Sequence, residues 1–173
     1  MFAAELAATQ PDRFSHVILA SPFGLWDDAT PVTDLFTVSR MELASCLYAD
    51  SENKEAVAVA TAPEARMTEV DPDTEDGKAT INYLVERAKS MSTAAKYLWP
   101  IPTRWLKKRL HRVQQPGLVI WGESDGIIPS SYAHRFTTHM ENTTAHIVPN
   151  AAHMVIDEQP VPVADMIESL LSN

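Results

Sequence analysis

Two short apolar runs near the end of the chain, Gly117-Leu-Val-Ile-Trp121 and Thr144-Ala-His146-Ile147-Val148, constrain the fold more than any other feature. Both are rich in β-branched or aromatic residues, and a helix-length stretch at about Ser130 to Met140 separates them. Runs of this length read as strands, and strands that alternate with helices imply a parallel sheet. Ser130 or Ser131 suits the N-cap of the intervening helix. After Val148 comes a loop, Pro149-Asn-Ala-Ala-His153, and then a terminal helix from Val161 to Leu171 with Val163, Met166, Ile167 and Leu170 on its inner face. The chain therefore closes as strand, helix, strand, helix.

The same rhythm opens it. Residues 2 to 9 are strong helix formers, and Pro11 stops them because its ring and missing N–H do not fit a helix interior. Phe14 to Ala20 then reads as a buried strand closed by Ser21-Pro22-Phe23-Gly24. From 25 to 112 the pattern becomes helical without strand runs. Leu35, Val38, Met41 and Leu47 mark one amphipathic segment; Ile81, Leu84, Val85, Ala88 and Met91 mark another. This stretch reads as an all-helical insertion between α/β parts at 1–24 and 113–173. An acidic turn, Glu69 to Gly77, separates its halves. It lacks the glycine and glutamate that a calcium-binding EF-hand loop needs where Asp76 and Asn82 stand, so it reads as a solvated loop. The basic run Arg104 to Arg112 interleaves with Trp105, Leu106 and Leu110 and reads as a solvated helix face.

Composition narrows the function. At 173 residues, 45% hydrophobic and 21% charged, the chain suits one soluble globular domain. A net charge of -9 disfavours nucleic acid as a partner, because phosphate binding needs clustered Lys and Arg. The single cysteine, Cys46, permits no intrachain disulfide and suits a reducing compartment, so the cytoplasm is the default expectation. No stretch approaches the ~18 apolar residues of a membrane span, and the N-terminus lacks the basic flank of a signal peptide.

Reactive groups of open parallel sheets collect in loops at the carboxyl ends of the strands. Two such loops carry candidates, Asp125 after one strand and His153 after the next. A carboxylate that orients an imidazole and steadies its protonated form is what nucleophilic catalysis asks of this pair. Each also has a plain alternative: an Asp before Gly commonly only shapes a turn, and a loop His is commonly just exposed. His134 and His139 lack the spacing of a zinc-binding helix and read as surface residues. Trp99, Pro100 and Trp105 read as packing residues of the helical stretch, and Glu158 as a stabiliser of its loop or of the last helix.

Trp121-Gly122-Glu123-Ser124-Asp125-Gly126-Ile-Ile-Pro129, followed by Asn150-Ala-Ala-His153 and Glu158-Gln-Pro160, resembles the acid loop and histidine loop of the α/β-hydrolase family. Ala152 stands where that family usually has glycine. Upstream, Phe2 to Ala8 with the Pro11-Asp-Arg13 turn resembles the helix that follows the family's Gly-x-Ser-x-Gly nucleophile elbow, which places the serine about four residues before Met1. Gly122-Glu-Ser124-Asp-Gly126 fits the same pattern by itself, but an elbow runs straight into a helix and has its acid downstream, so Ser124 is not taken as the nucleophile.

The resemblance implies the C-terminal part of an α/β-hydrolase sheet with a helical cap at 25–112. It implies Asp125 and His153 as catalytic acid and base, with no nucleophile, metal or organic cofactor in this chain. The expected reaction is serine-type hydrolysis of an ester, thioester or activated carbonyl or carbon–carbon substrate. The expected partners are a small-molecule substrate and the missing N-terminal half. Alone, such a piece is expected to be inactive, whether it derives from a truncated sequence, a deliberate cut or a natural piece that docks with a second chain. The other reading is a non-catalytic binding module derived from a hydrolase.

Overall fold

The computed structural model describes residues 1–62, 71–98 and 106–172. Trp99, Pro100 and Trp105 lie outside the described residues, as do Glu69 and Val70 of the acidic turn and Arg104 of the basic run.

Three parallel strands, β1 (Val17–Ala20), β2 (Gly117–Gly122) and β3 (Thr143–Val148), pair in the order β1-β2-β3, with Val17 opposite Gly117 and Gly117 opposite Thr143. Alternation along the strands sorts the apolar side chains to two faces. Val17, Leu19, Val119 and Trp121 meet Ala4, Ala7 and Ala8 of helix α1 (Phe2–Thr9) and Tyr132, Phe136 and Met140 in and after helix α5 (Tyr132–His139). Leu118, Ile120 and Val148 form the other face, against Val155, Val163 and the partly buried Met166, Ile167 and Leu170 of helix α7 (Pro160–Leu171). All six residues of β2 are buried, as a central strand covered on both sides requires.

Between β1 and β2 lie α2 (Arg40–Leu47), α3 (Lys54–Ala60) and α4 (Glu75–Leu98), and a short helix α6 (Val155–Glu158) precedes α7. A complete capping box starts α2: the Ser39 hydroxyl accepts from Glu42 N at 3.3 Å, and the Glu42 carboxylate accepts from Ser39 N at 2.8 Å.

Several local expectations change. β1 begins at Val17, and Phe14 is 38% exposed outside it. Leu35 and Val38 are not helical; they precede the Ser39 cap, and Met41 is 76% exposed, so the segment Leu35 to Leu47 is a turn followed by a helix. On α4, Ile81 and Val85 face outward at 45% and 46% exposure, because helical periodicity records an apolar stripe but not whether a neighbour covers it. The acidic turn is shorter than its composition suggests. Thr74 Oγ1 accepts from Gly77 N at 3.0 Å, and Glu75, Asp76 and Gly77 already belong to α4. Ser131 precedes α5 without a side-chain capping bond.

The described part of the basic run is not a helix face. Leu106–Lys108 and Leu110–Arg112 are 3-10 turns whose leucines are fully buried. Arg109 grips Glu5 of α1 through two bonds of 2.8 and 2.6 Å. Bidentate pairing of this kind fixes one element against another, so α1 is anchored by polar as well as apolar contacts.

Candidate active site

The two loops that follow β2 and β3 are built against each other. Past β2, Glu123 N donates to Val148 O at 2.9 Å and Ser124 N to Ala151 O at 3.0 Å, which carries the sheet pairing beyond the strands themselves. Gly122 is required here: a Cβ at this position would lie 2.0 Å from Ala152 O and 2.6 Å from Ala151 O. The backbone of the histidine loop thus occupies the space of a side chain.

Asp125 follows in a turn. Its Oδ1 accepts from Ile127 N and Ile128 N, both at 2.9 Å, and the buried Trp121 Nε1 donates to Ile128 O at 2.9 Å. The side chain of Asp125 is wholly buried. Burial of a carboxylate is costly unless donors surround it, and here two backbone N–H groups and an imidazole do so.

His153 supplies that imidazole. The chain leaves β3 through Asn150 at φ 55, a left-handed conformation that asparagine tolerates, and Ala151 and Ala152 are buried behind it. Ala152 itself is not left-handed, which explains why alanine serves where glycine was expected. His153 Nδ1 then lies 2.9 Å from Asp125 Oδ2 and 3.1 Å from Oδ1. A carboxylate only accepts, so Nδ1 carries the proton and Nε2 is the ring atom left for proton transfer. The side chain of His153 retains 22% exposure.

That exposure opens onto a cavity of about 140 Å³, lined by Leu35, Leu43, Leu47, Met91 and Ile127, with Arg87 as its cationic member. A larger cavity of about 620 Å³ lies elsewhere, between Leu25, Trp26, Lys107 and the α5 residues His134, Arg135 and His139. Neither Asp125 nor His153 lines it, whereas His153 lines the smaller cavity.

Ser124, the residue that fits the elbow pattern by spacing alone, is exposed in the turn before Asp125; Ile127-Ile128-Pro129 separates it from α5. Cys46 packs beside the acid loop, and its thiol is pushed up from its ordinary range by burial and then by the carboxylates of Glu42 and Asp125. Both causes favour the thiol over the thiolate.

Of three further contributors, sequence reasoning missed two. Cys46 O accepts from Gly126 N at 3.1 Å, Leu47 O accepts from Met154 N at 2.9 Å, and Glu158 accepts from Ala152 N at 2.7 Å. The first two act through backbone carbonyls, which carry no side-chain signal. Glu158 was legible only as a loop stabiliser.

A parallel sheet carrying an Asp–His pair in the loops after adjacent strands defines the C-terminal part of an α/β-hydrolase fold. The sequence model of the family described as "Serine aminopeptidase, S33" matches residues 1–160, and the chain belongs to this hydrolase family. An uncharacterized hydrolase, YugF, of Bacillus subtilis (strain 168) is 27% identical over 64 residues, 37% of this chain and 23% of that protein.

Among solved structures, a 2-hydroxy-6-oxo-6-phenylhexa-2,4-dienoate hydrolase from Rhodococcus sp. strain RHA1 is similar with a TM-score of 0.62 at 21% identity, covering 100% of this chain and 62% of that one. The meta-cleavage product hydrolase CumD from Pseudomonas fluorescens IP01 gives 0.63 at 15%, covering 98% and 60%. Naproxen esterase from Bacillus subtilis gives 0.60 at 18%, covering 97% and 55%. At these identities the likeness is one of fold. The chain spans about 60% of the length of these structures.

Proposed function

We propose that Asp125 and His153 are the acid and base of a serine-type hydrolase, with the nucleophile and the oxyanion donors supplied by a part of the fold outside these 173 residues. The observation that carries this reading is the Asp125–His153 pair at 2.9 Å, buried on the carboxylate side and open at His153 to an apolar cavity. Nε2 takes the proton of the serine as it attacks and returns it to the leaving group, while Asp125 holds the tautomer and steadies the imidazolium.

Helices α2 and α4, within the stretch 25–112, act as a cap over the site. Leu43, Leu47 and Met91 favour a compact apolar group on the substrate, of ester, thioester or activated carbonyl or carbon–carbon type. The names of the similar structures include both an esterase and a hydrolase of a dienoate, which supports that range. The 173 residues by themselves supply acid and base without turnover.

The test is carried out in the complete hydrolase. A fluorophosphonate probe is expected to label it covalently, and Asp125→Asn and His153→Ala are each expected to lower kcat on a nitrophenyl ester by about 10,000-fold or more. Unchanged turnover in either variant overturns the assignment.

A further inference from the structure

Three backbone N–H groups beside the acid–base pair are held from one short segment, residues 46–50, or through one carboxylate. Gly126 N, immediately after Asp125, donates to Cys46 O at 3.1 Å. Met154 N, immediately after His153, donates to Leu47 O at 2.9 Å. Ala152 N, immediately before His153, donates to Glu158 Oε2 at 2.7 Å. The other oxygen of the same carboxylate, Oε1, accepts from Ala49 N at 2.8 Å and Asp50 N at 3.4 Å.

Residues 46 and 47 end α2, where the carbonyls of a helix's last turn have no partner within the helix. Those carbonyls are spent on the two loops. Leu43 and Leu47 of the same helix line the cavity beside His153.

We infer that Glu158 is a positioning residue that, together with the α2 end, braces the histidine loop against the acid loop and couples the Asp125–His153 pair to the helical wall of its cavity. The inference rests on the reading of that pair as the acid and base. A carboxylate bridging two backbone segments does what neither neutral oxygen nor water does as well. It accepts on both oxygens at once, with charge-assisted strength, and fixes the distance between residues 49–50 and 152. The bridge spans more than a hundred positions of sequence, joining the helical stretch to the last loop. The segment 46–50 is therefore tied to the register of His153.

The experiment uses the full 173-residue chain, labelled with 15N, and needs no turnover. The wild type is expected to show a downfield imidazole proton on His153 Nδ1 and a protected amide at Ala152. Asp125→Asn is expected to remove or shift the imidazole signal and leave the Ala152 amide protected. Glu158→Ala is expected to lose the imidazole signal to exchange and to speed exchange of the Ala152 and Ala49 amides by about 10- to 100-fold, as loss of a charge-assisted bond implies. Glu158→Gln keeps one accepting oxygen and is expected to fall between wild type and Glu158→Ala. Ala49→Pro removes the shorter of the two bonds on the helical side and leaves Asp50 N at 3.4 Å. It follows the extended residue Tyr48, as a proline prefers, and is expected to loosen His153 without touching its loop.

If Glu158→Ala and Ala49→Pro both fold and keep the wild-type imidazole signal, the brace is refuted while the pair stands. If Asp125→Asn leaves that signal unchanged, the pair itself is refuted.

Discussion

Replacing Gly122 by alanine tests the closeness of the two loops directly. The new methyl carbon would stand 2.0 Å from Ala152 O and 2.7 Å from Ala152 C, whereas ordinary contact begins at 3.4 Å. Both atoms are backbone, so no rotamer change relieves the overlap, and the histidine loop must retreat by the difference. The Asp125–His153 contacts of 2.9 and 3.1 Å tolerate much less than that before passing the limit of about 3.5 Å at which a hydrogen bond ceases to count. Overpacking costs about 1–3 kcal/mol, and a lost bond to a charged group about 1.5–3 kcal/mol. Gly122→Ala is therefore expected to destabilise by about 3 kcal/mol, a large share of the roughly 5–15 kcal/mol that hold a domain folded. Urea denaturation with an unchanged slope measures this, and the His153 Nδ1 proton signal reports the site. Gly117→Ala is the control. Its Cβ would meet the Thr143 Oγ1 at 2.3 Å, a side-chain atom that can rotate away, so its cost is expected to be smaller. A Gly122→Ala change within about 0.5 kcal/mol of wild type, with the imidazole signal intact, refutes the argument.

Trp121→Phe leaves the Ile128 carbonyl of the acid loop without its buried donor and opens a void beside Phe136. A loss of about 2–4 kcal/mol is expected in thermal or urea unfolding, and the exchange of the Ile127 and Ile128 amides should quicken. His139 is pushed below its ordinary 6.5 by burial first, then by the nearby Lys107 and His111. A depressed histidine is carried neutral by the fold, so its effect is absent above pH 6.5, where both states are neutral, and destabilises as pH falls below 6.5 toward the folded value. His139→Gln is expected to flatten that part of the stability profile, measured by urea midpoints from pH 7.5 to 5; an unchanged slope would contradict it.

How much was legible follows from where the determining partners lie. The strands at 117–121 and 144–148 were readable because length, β-branching and flanking turns are local properties. The loops carrying Asp125 and His153 were readable because each follows its strand directly. The resemblance of these loops to the acid and histidine loops of hydrolases rested on the same contiguous residues. What failed was anything that needed knowledge of a neighbour. Ile81 and Val85 have helical spacing but stay nearly half exposed, and Leu106 and Leu110 have helical spacing but sit in 3-10 turns pulled into the core beside the Glu5–Arg109 pair.

The sequence by itself determined the alternation of elements, the parallel sheet and the two loops that hold the candidate acid and base, because hydrophobic period and turn chemistry act over a few residues. Only the tertiary structure decided that Asp125 and His153 meet at 2.9 Å, that Ala152 lies where a Gly122 side chain would be, and that the end of α2 and Glu158 brace both loops. Apart from the local Ala152–Glu158 bond, those are contacts between groups tens to more than a hundred positions apart, several of them backbone atoms common to every residue, and nothing in local composition encodes such a meeting.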